Sequence, residues 1–151
     1  MAETIVRQRL AAILAADVAG YSRLMGRDEL GTVAALDSAR EVFKSEIEVH
    51  QGHVIDMAGD SVLAVFDTAT GAVAAALAVQ ETLVATAAAV PEDHQMRFRI
   101  GVHLGDVMEK TDGTVYGDGV NIAARLEGLA EPGGITVSDA VQGAVQGRVN
   151  A

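Results

Sequence analysis

His53-Val-Ile-Asp-Met-Ala-Gly-Asp60-Ser-Val-Leu-Ala-Val-Phe66 is the stretch on which the fold turns. Gly59, Asp60 and Ser61 form a tight turn between two short apolar segments, residues 53–58 and 62–66. Two such segments joined by a Gly-Asp turn predict a β-hairpin. Upstream of Gly52 the pattern is helical from about residue 22 to 50, with Leu24, Leu30, Val33, Leu36, Val42, Phe43 and Ile47 recurring at spacings of three, four and six or seven between charges. Gly26 and Gly31 predict a short first turn before the main helix. Further upstream, the unbroken apolar run 10–16 makes residues 9–18 a buried strand, closed by Asp17 and a break at Gly20. Downstream, residues 68–90 read as an Ala-rich helix ending before Pro91. Residues 96–108 then alternate through Phe98, Ile100, Val102 and Leu104 as a long strand.

The order is strand, helix, strand, strand, helix, strand, a split β-α-β motif repeated, and hence an α+β, ferredoxin-like core. A smaller tail follows. After a turn at 109–113 comes a strand at 114–116, then a glycine-rich entry, 117–119, to a helix running to about Leu129. Pro132-Gly133-Gly134 is a loop, 135–137 a strand, and Ser138 caps a last short helix.

With 151 residues and no repeat, charge block or linker, the chain is expected to form a single domain over 1–151. Half the residues are hydrophobic but only 3% are aromatic, so the core must be aliphatic. Cysteine is absent, which excludes a disulfide scaffold, a thiolate zinc site and a cysteine nucleophile. The 21 acidic and 11 basic residues give a net charge of −10, which disfavours nucleic-acid and anionic-membrane partners. Arg7 and Arg9 before the run 10–16 mimic a signal peptide, yet Asp17 falls where a neutral cleavage region should lie. The Ala-rich stretch 72–90 is interrupted by Gln80 and Glu81. Both read as core elements, with no membrane insertion and a cytoplasmic location expected.

A carboxylate at the end of a buried strand is costly unless compensated. Asp17 therefore caps the next helical turn or binds a metal. Asp60 lies on a hairpin turn that this fold sets beside the end of the first strand. Two carboxylates converging from separate strands suit Mg²⁺ or Mn²⁺, with substrate phosphates as further ligands. Backbone N–H groups near Gly20, at a strand-to-helix turn, can donate to phosphate oxygens. Asn121 and Arg125 are i and i+4 on one helix face. They are either solvated polar positions or a donor cluster suited to a pentacovalent phosphate or a ribose oxygen. The four histidines show no i, i+4 pair and read as structural or exposed. The motifs of P-loop enzymes and α/β-hydrolases are absent from the sequence.

Ala16-Asp17-Val-Ala-Gly-Tyr-Ser22, Ala58-Gly-Asp60-Ser-Val-Leu-Ala-Val-Phe66, Ile100-Gly-Val-His-Leu-Gly-Asp106 and Tyr116-Gly-Asp-Gly-Val-Asn-Ile-Ala-Ala-Arg125-Leu-Glu127 together resemble the class III nucleotide cyclase catalytic domain. The resemblance runs in register from about residue 9 to the C-terminus. It implies that Asp17 and Asp60 bind two metal ions, Mg²⁺ or Mn²⁺, and that Asn121 and Arg125 orient the ribose and stabilise the transition state. Thr114 matches one of two purine-reading positions. The other, usually Lys, is Asp56 here, an acceptor in place of a donor. The chain stops at Ala151, before the family's further strands with their phosphate-binding Lys.

The resemblance also implies a twofold dimer in which the metal aspartates of one subunit face Asn and Arg of the other. The activity it implies is adenylate cyclase, converting ATP to 3′,5′-cyclic AMP and pyrophosphate. The alternatives are a catalytically weak or silent dimerisation or nucleotide-sensing module, and a guanylate cyclase. Any sensor or effector domain would lie outside this chain.

Overall fold

The computed structural model describes residues 6–148. The elements in chain order are β1 (Val6–Val18), α1 (Tyr21–Arg27), α2 (Glu29–Val49), β2 (Gly52–Asp56), β3 (Val62–Phe66) and α3 (Ala69–Ala87). A 3₁₀ turn (Glu92–His94) leads to β4 (Phe98–Lys110), β5 (Val115–Tyr116), α4 (Asp118–Leu129), β6 (Ile135–Val137) and α5 (Asp139–Val145). One six-stranded sheet has the order β2-β3-β1-β4-β5, with β6 running parallel to β4. Its β2-β3-β1-β4 part, antiparallel throughout, is the expected ferredoxin-like core.

The continuous apolar run of β1 follows from its place in the middle of the sheet. Ala12, Leu14, Ala16 and Val18 pack under α2 and α3 with Phe43, Ile47, Phe66 and Phe98. Ala11, Ile13 and Ala15 face the other way, against Val65, Val107 and Ala123 of α4. A strand covered on both faces has no polar side to alternate with. Phe43 and Phe98, 4.9 Å apart between ring centres, join α2 to β4. Buried Gln80 of α3 donates through Nε2 to the carbonyls of Phe98 (2.9 Å) and Gly134 (3.0 Å), tying α3 to the start of β4 and the loop before β6.

Several boundaries shift from those read in the sequence. The long helix is two, because Asp28 ends α1 with its N–H on the Leu24 carbonyl and opens α2 by accepting from Gly31 N. β2 ends at Asp56 rather than at residue 58, because a bulge between Val54 and Asp56 breaks its register with β3. Residues 57–61 then form a longer turn, with Gly59 at φ 57°, a left-handed conformation that costs glycine little. β1 and β4 each extend further at the edge remote from this turn, held by the pairs Arg7–Glu109 and Arg9–Glu109. Among the described residues α3 is the one helix long and apolar enough to cross a membrane. Here Ala72, Ala75, Ala76 and Val79 are fully buried in the core.

α4 lies directly on β4. A Cβ on Gly101 would stand 2.3 Å from Glu127 N and 2.5 Å from the Ala123 carbonyl oxygen, so this strand position admits only hydrogen. Gly101→Ala should therefore lower stability by about 1–3 kcal/mol through overpacking. Gly128→Ala, on the open side of the same helix with nothing near its Cβ, should raise it by about 0.4–1 kcal/mol. Urea denaturation of both variants beside the wild type measures the contrast.

Candidate active site

Asp17 and Asp60 come together at one edge of the sheet. Asp17 is the penultimate residue of β1, and Asp60 stands in the β2–β3 turn, where its Oδ2 accepts the Val18 backbone N–H at 3.2 Å. The turn is closed by Ser61, whose N–H and hydroxyl both donate to the Ala58 carbonyl. Arg40 of α2 reaches into it and donates through Nη2 to the carbonyls of Met57 and Gly59, the residues leading into Asp60. Helix capping by Asp17, the other reading of that residue, does not occur: the cap of α1 is Gly20, and no side chain bonds there.

The partner of Asp17 is Arg99. The two are directly opposed in the β1–β4 register, and the guanidinium takes the carboxylate bidentately: Nε donates to Oδ1 at 3.0 Å and Nη2 to Oδ2 at 2.8 Å. The same Nη2 lies 3.7 Å from Glu127 Oε2 of α4. Hydrogen bonding to Asp17 raises the Arg99 pKa. Burial first, and then the Asp17 charge, push the Glu127 carboxyl up to about 7. Arg99, Glu127 and Arg40 were not singled out in the sequence. Arg99 carried one readable signal, a cation at the start of a strand that must pair with one ending in Asp17.

Asn121 and Arg125 share the outer face of α4. Gly119 and Ala123 point into the sheet and are buried, whereas Asn121 and Arg125 are exposed and make no bond among the described residues. Two helical positions are about 200° apart, so Arg125 points away from the side on which Glu127 meets Arg99. Asp17 and Arg125 of one chain are thus on opposite sides of the same helix.

The half of this sheet face that α4 leaves open carries a groove of about 540 Å³, lined by Asp56, Thr114, Arg9, His53 and Glu109 among others. Asp56 and Thr114 therefore meet in one groove, although they come from β2 and from the turn before β5. Thr114 is held by Asp112, whose Oδ1 accepts its N–H at 2.9 Å; side-chain and then backbone hydrogen bonding to Thr114 hold the Asp112 carboxyl below its usual value. Gly20, with φ 67°, opens the first turn of α1, where the N–H groups of residues 21–23 lack intrahelical acceptors. A cleft of about 360 Å³ on the opposite face, between α2 and α3, holds none of the predicted site residues.

The Adenylate and Guanylate cyclase catalytic domain profile matches residues 5–150. The chain belongs to this family. It is 47% identical over 151 residues to "Putative adenylate cyclase 3" of Rhizobium meliloti (strain 1021), covering 99% of this chain but 26% of that protein. It is 32% identical to "Adenylate cyclase" of Streptomyces coelicolor, over 91% of this chain and 34% of that one. Among solved structures, an "Adenylate/Guanylate Cyclase/Hydrolase" from Silicibacter pomeroyi superposes with a TM-score of 0.89 at 41% identity, covering 97% of this chain and 85% of the other. The chain thus spans about a quarter of the curated relative's length.

Members of this family generally use divalent metal ions, and the donor set of this cyclase domain fits such an ion. Asp17 and Asp60 supply hard carboxylate oxygens from the end of β1 and from the neighbouring β2–β3 turn. Among the described residues no three His, Cys, Asp or Glu side chains form a metal-binding group. Two carboxylates with substrate phosphates and water as the other ligands is the usual arrangement for Mg²⁺.

The raised Glu127 pKa makes metal-free stability pH-dependent. The folded protein keeps a proton on Glu127 that the unfolded chain loses above its ordinary value of 4.5, so this contribution is complete below 4.5 and is lost as pH rises towards 7. In EDTA, stability should fall across that window by on the order of 2 kcal/mol more in the wild type than in Glu127→Gln. Urea titrations at several pH values check the difference in slope.

Proposed function

We propose that this chain is an adenylate cyclase catalytic domain that converts ATP to 3′,5′-cyclic AMP and pyrophosphate as a homodimer with two composite sites. The observation that carries the reading is the division of the site by α4. Metal-binding carboxylates stand on one side of this helix, with an unpartnered Asn121–Arg125 pair on the other. Neither half can act alone, and a twofold axis brings the carboxylates of one copy to the outer α4 face of its mate. The names of the Rhizobium and Streptomyces relatives support ATP as the substrate.

In this reading Asp17 and Asp60 hold two Mg²⁺ or Mn²⁺ ions. When bound, these would supply acidification of the ribose 3′-hydroxyl and charge neutralisation on the triphosphate. Asn121 of the mate orients the ribose, so that the 3′-oxygen lies in line with the bond to the leaving pyrophosphate. Arg125 meets the negative charge that develops on the α-phosphate oxygens. The first-turn N–H groups after Gly20 donate to phosphate oxygens. Asp56 and Thr114 line the groove that takes the base. The cytoplasm, where ATP is available, is the compartment this activity requires.

Asp56 favours a second reading, guanylate cyclase. An ionised carboxylate accepts from both guanine N1–H and the guanine amino group, but from the amino group alone on adenine. Asp56→Lys should therefore raise the ATP:GTP ratio of kcat/KM by about tenfold, the scale of 1–3 kcal/mol per mismatched polar edge. Chromatographic assay of cyclic AMP formed from ATP and cyclic GMP formed from GTP, with Mn²⁺, measures it. An unchanged ratio would place Asp56 outside base recognition.

The divided site makes a separate test of assembly. Asp17→Ala and Arg125→Ala chains should each be inactive or slowed by roughly 10²–10³. Mixed equally, half the chains pair as heterodimers with one intact site in two, and about a quarter of wild-type activity should return. No recovery in a mixture shown to contain heterodimers would mean that each site lies within one chain.

A further inference from the structure

Arg99 gives both ends of its guanidinium to Asp17, the same carboxylate that the proposed function assigns to metal binding. A side chain held by a bidentate fork at 3.0 and 2.8 Å has its two oxygens already turned towards a cation. A divalent ion at that carboxylate would face the fixed positive charge of Arg99. A second acceptor is available: Glu127 Oε2 lies 3.7 Å from Arg99 Nη2, within ion-pair range but beyond a hydrogen bond. The helix turn that carries it is fixed, because the backbone of Glu127 rests directly over Gly101, two residues along β4 from Arg99. Arg99 Nη2 thus has both carboxylates within ion-pair range.

We infer that Arg99 is a positioning residue that serves as the resident counter-cation of Asp17, holding its carboxylate in place in the metal-free protein and passing to Glu127 when a divalent ion binds. This inference rests on the reading of Asp17 as a metal ligand. It explains how Asp17 and Glu127, both within ion-pair range of the one guanidinium, are tolerated before metal arrives. It also makes Arg99 a competitor of the metal, so its removal strengthens metal binding while it weakens the metal-free protein. A purely structural arginine would do only the second.

Mn²⁺ titration without nucleotide, followed by electron paramagnetic resonance of the free ion, tests this on the wild type, Arg99→Gln, Arg99→Lys and Asp17→Asn. Thermal melts of the same four proteins are recorded in EDTA and in Mn²⁺. Arg99→Gln should melt lower than the wild type in EDTA, gain more from Mn²⁺, and bind Mn²⁺ about tenfold more tightly. Arg99→Lys keeps the charge and should bind Mn²⁺ within about threefold of the wild type. In ¹⁵N-labelled wild type, the Arg99 Nε–H resonance, assigned by its loss in Arg99→Lys, should move on Mg²⁺ addition. An immobile resonance at saturating Mg²⁺, or Mn²⁺ affinity in Arg99→Gln no greater than in the wild type, would overturn the inference while leaving the metal site standing, provided that Asp17→Asn abolishes binding. Wild-type affinity in Asp17→Asn would remove the metal assignment itself, and the inference with it.

Discussion

Six residues of β1 are buried on both faces of the sheet, and the strand then presents Asp17, a charge at the boundary of the core. Leaving that half-buried carboxylate without a partner would be costly to a fold whose net stability is only about 5–15 kcal/mol. Arg99 meets it from the directly opposed position on β4. A slip of one residue between these strands would send Arg99 to the aliphatic α2–α3 face and leave Asp17 without its partner. The ion pair thus selects the register of the longest pairing in the sheet, which runs from Val6–Lys110 to Val18–Phe98. Every other strand is placed relative to that pair.

α4 is positioned by a different kind of constraint, the lack of a side chain. Gly101 lets the helix backbone approach β4 as closely as atoms permit, and Gly119 does the same near Ile13 and the Asp106 carbonyl. A helix held so close has little freedom to roll. Its inner side is committed to Ala123 and Glu127, and its outer side must then display Asn121 and Arg125. The division of the site between the two sides of one helix is a consequence of packing, and it is what makes a second copy of the chain chemically necessary in the proposed function.

The two aspartates are supported unequally. Asp17 is gripped directly by a side chain, on a strand that cannot move without unfolding the sheet. Asp60 belongs to a turn and depends on backbone contacts: the Val18 N–H, the Ser61–Ala58 closure and the reach of Arg40 from α2. Local opening needs less energy in such a turn than in the core, so adjustment to an ion or nucleotide falls more easily on Asp60 than on Asp17. The groove lined by Asp56 and Thr114 is open for a related reason. α4 covers only the β1–β4 part of its sheet face, and the β2–β3 part keeps Ile55 and Leu63 only half-buried.

Much of this was legible along the chain. The hairpin 53–66, the apolar run of β1 and the alternation of β4 specify the ferredoxin-like order, because periodicity and turn chemistry are local properties. The same locality marks Asp17, Asp60, Asn121 and Arg125 as candidate site residues, by residue type and spacing. Boundaries were less accurate where a tertiary event decided them, as at the bulge beside Asp56 and the double cap at Asp28. Arg99, Glu127 and Arg40 were not legible, although each touches the candidate site. Arg99 and Asp17 are 82 positions apart, and their meeting depends on strand register. Sequence by itself determined which elements form and which side chains are candidates for the chemistry. Only the tertiary structure decided which charges face one another, because that depends on packing distances between elements far apart in the chain.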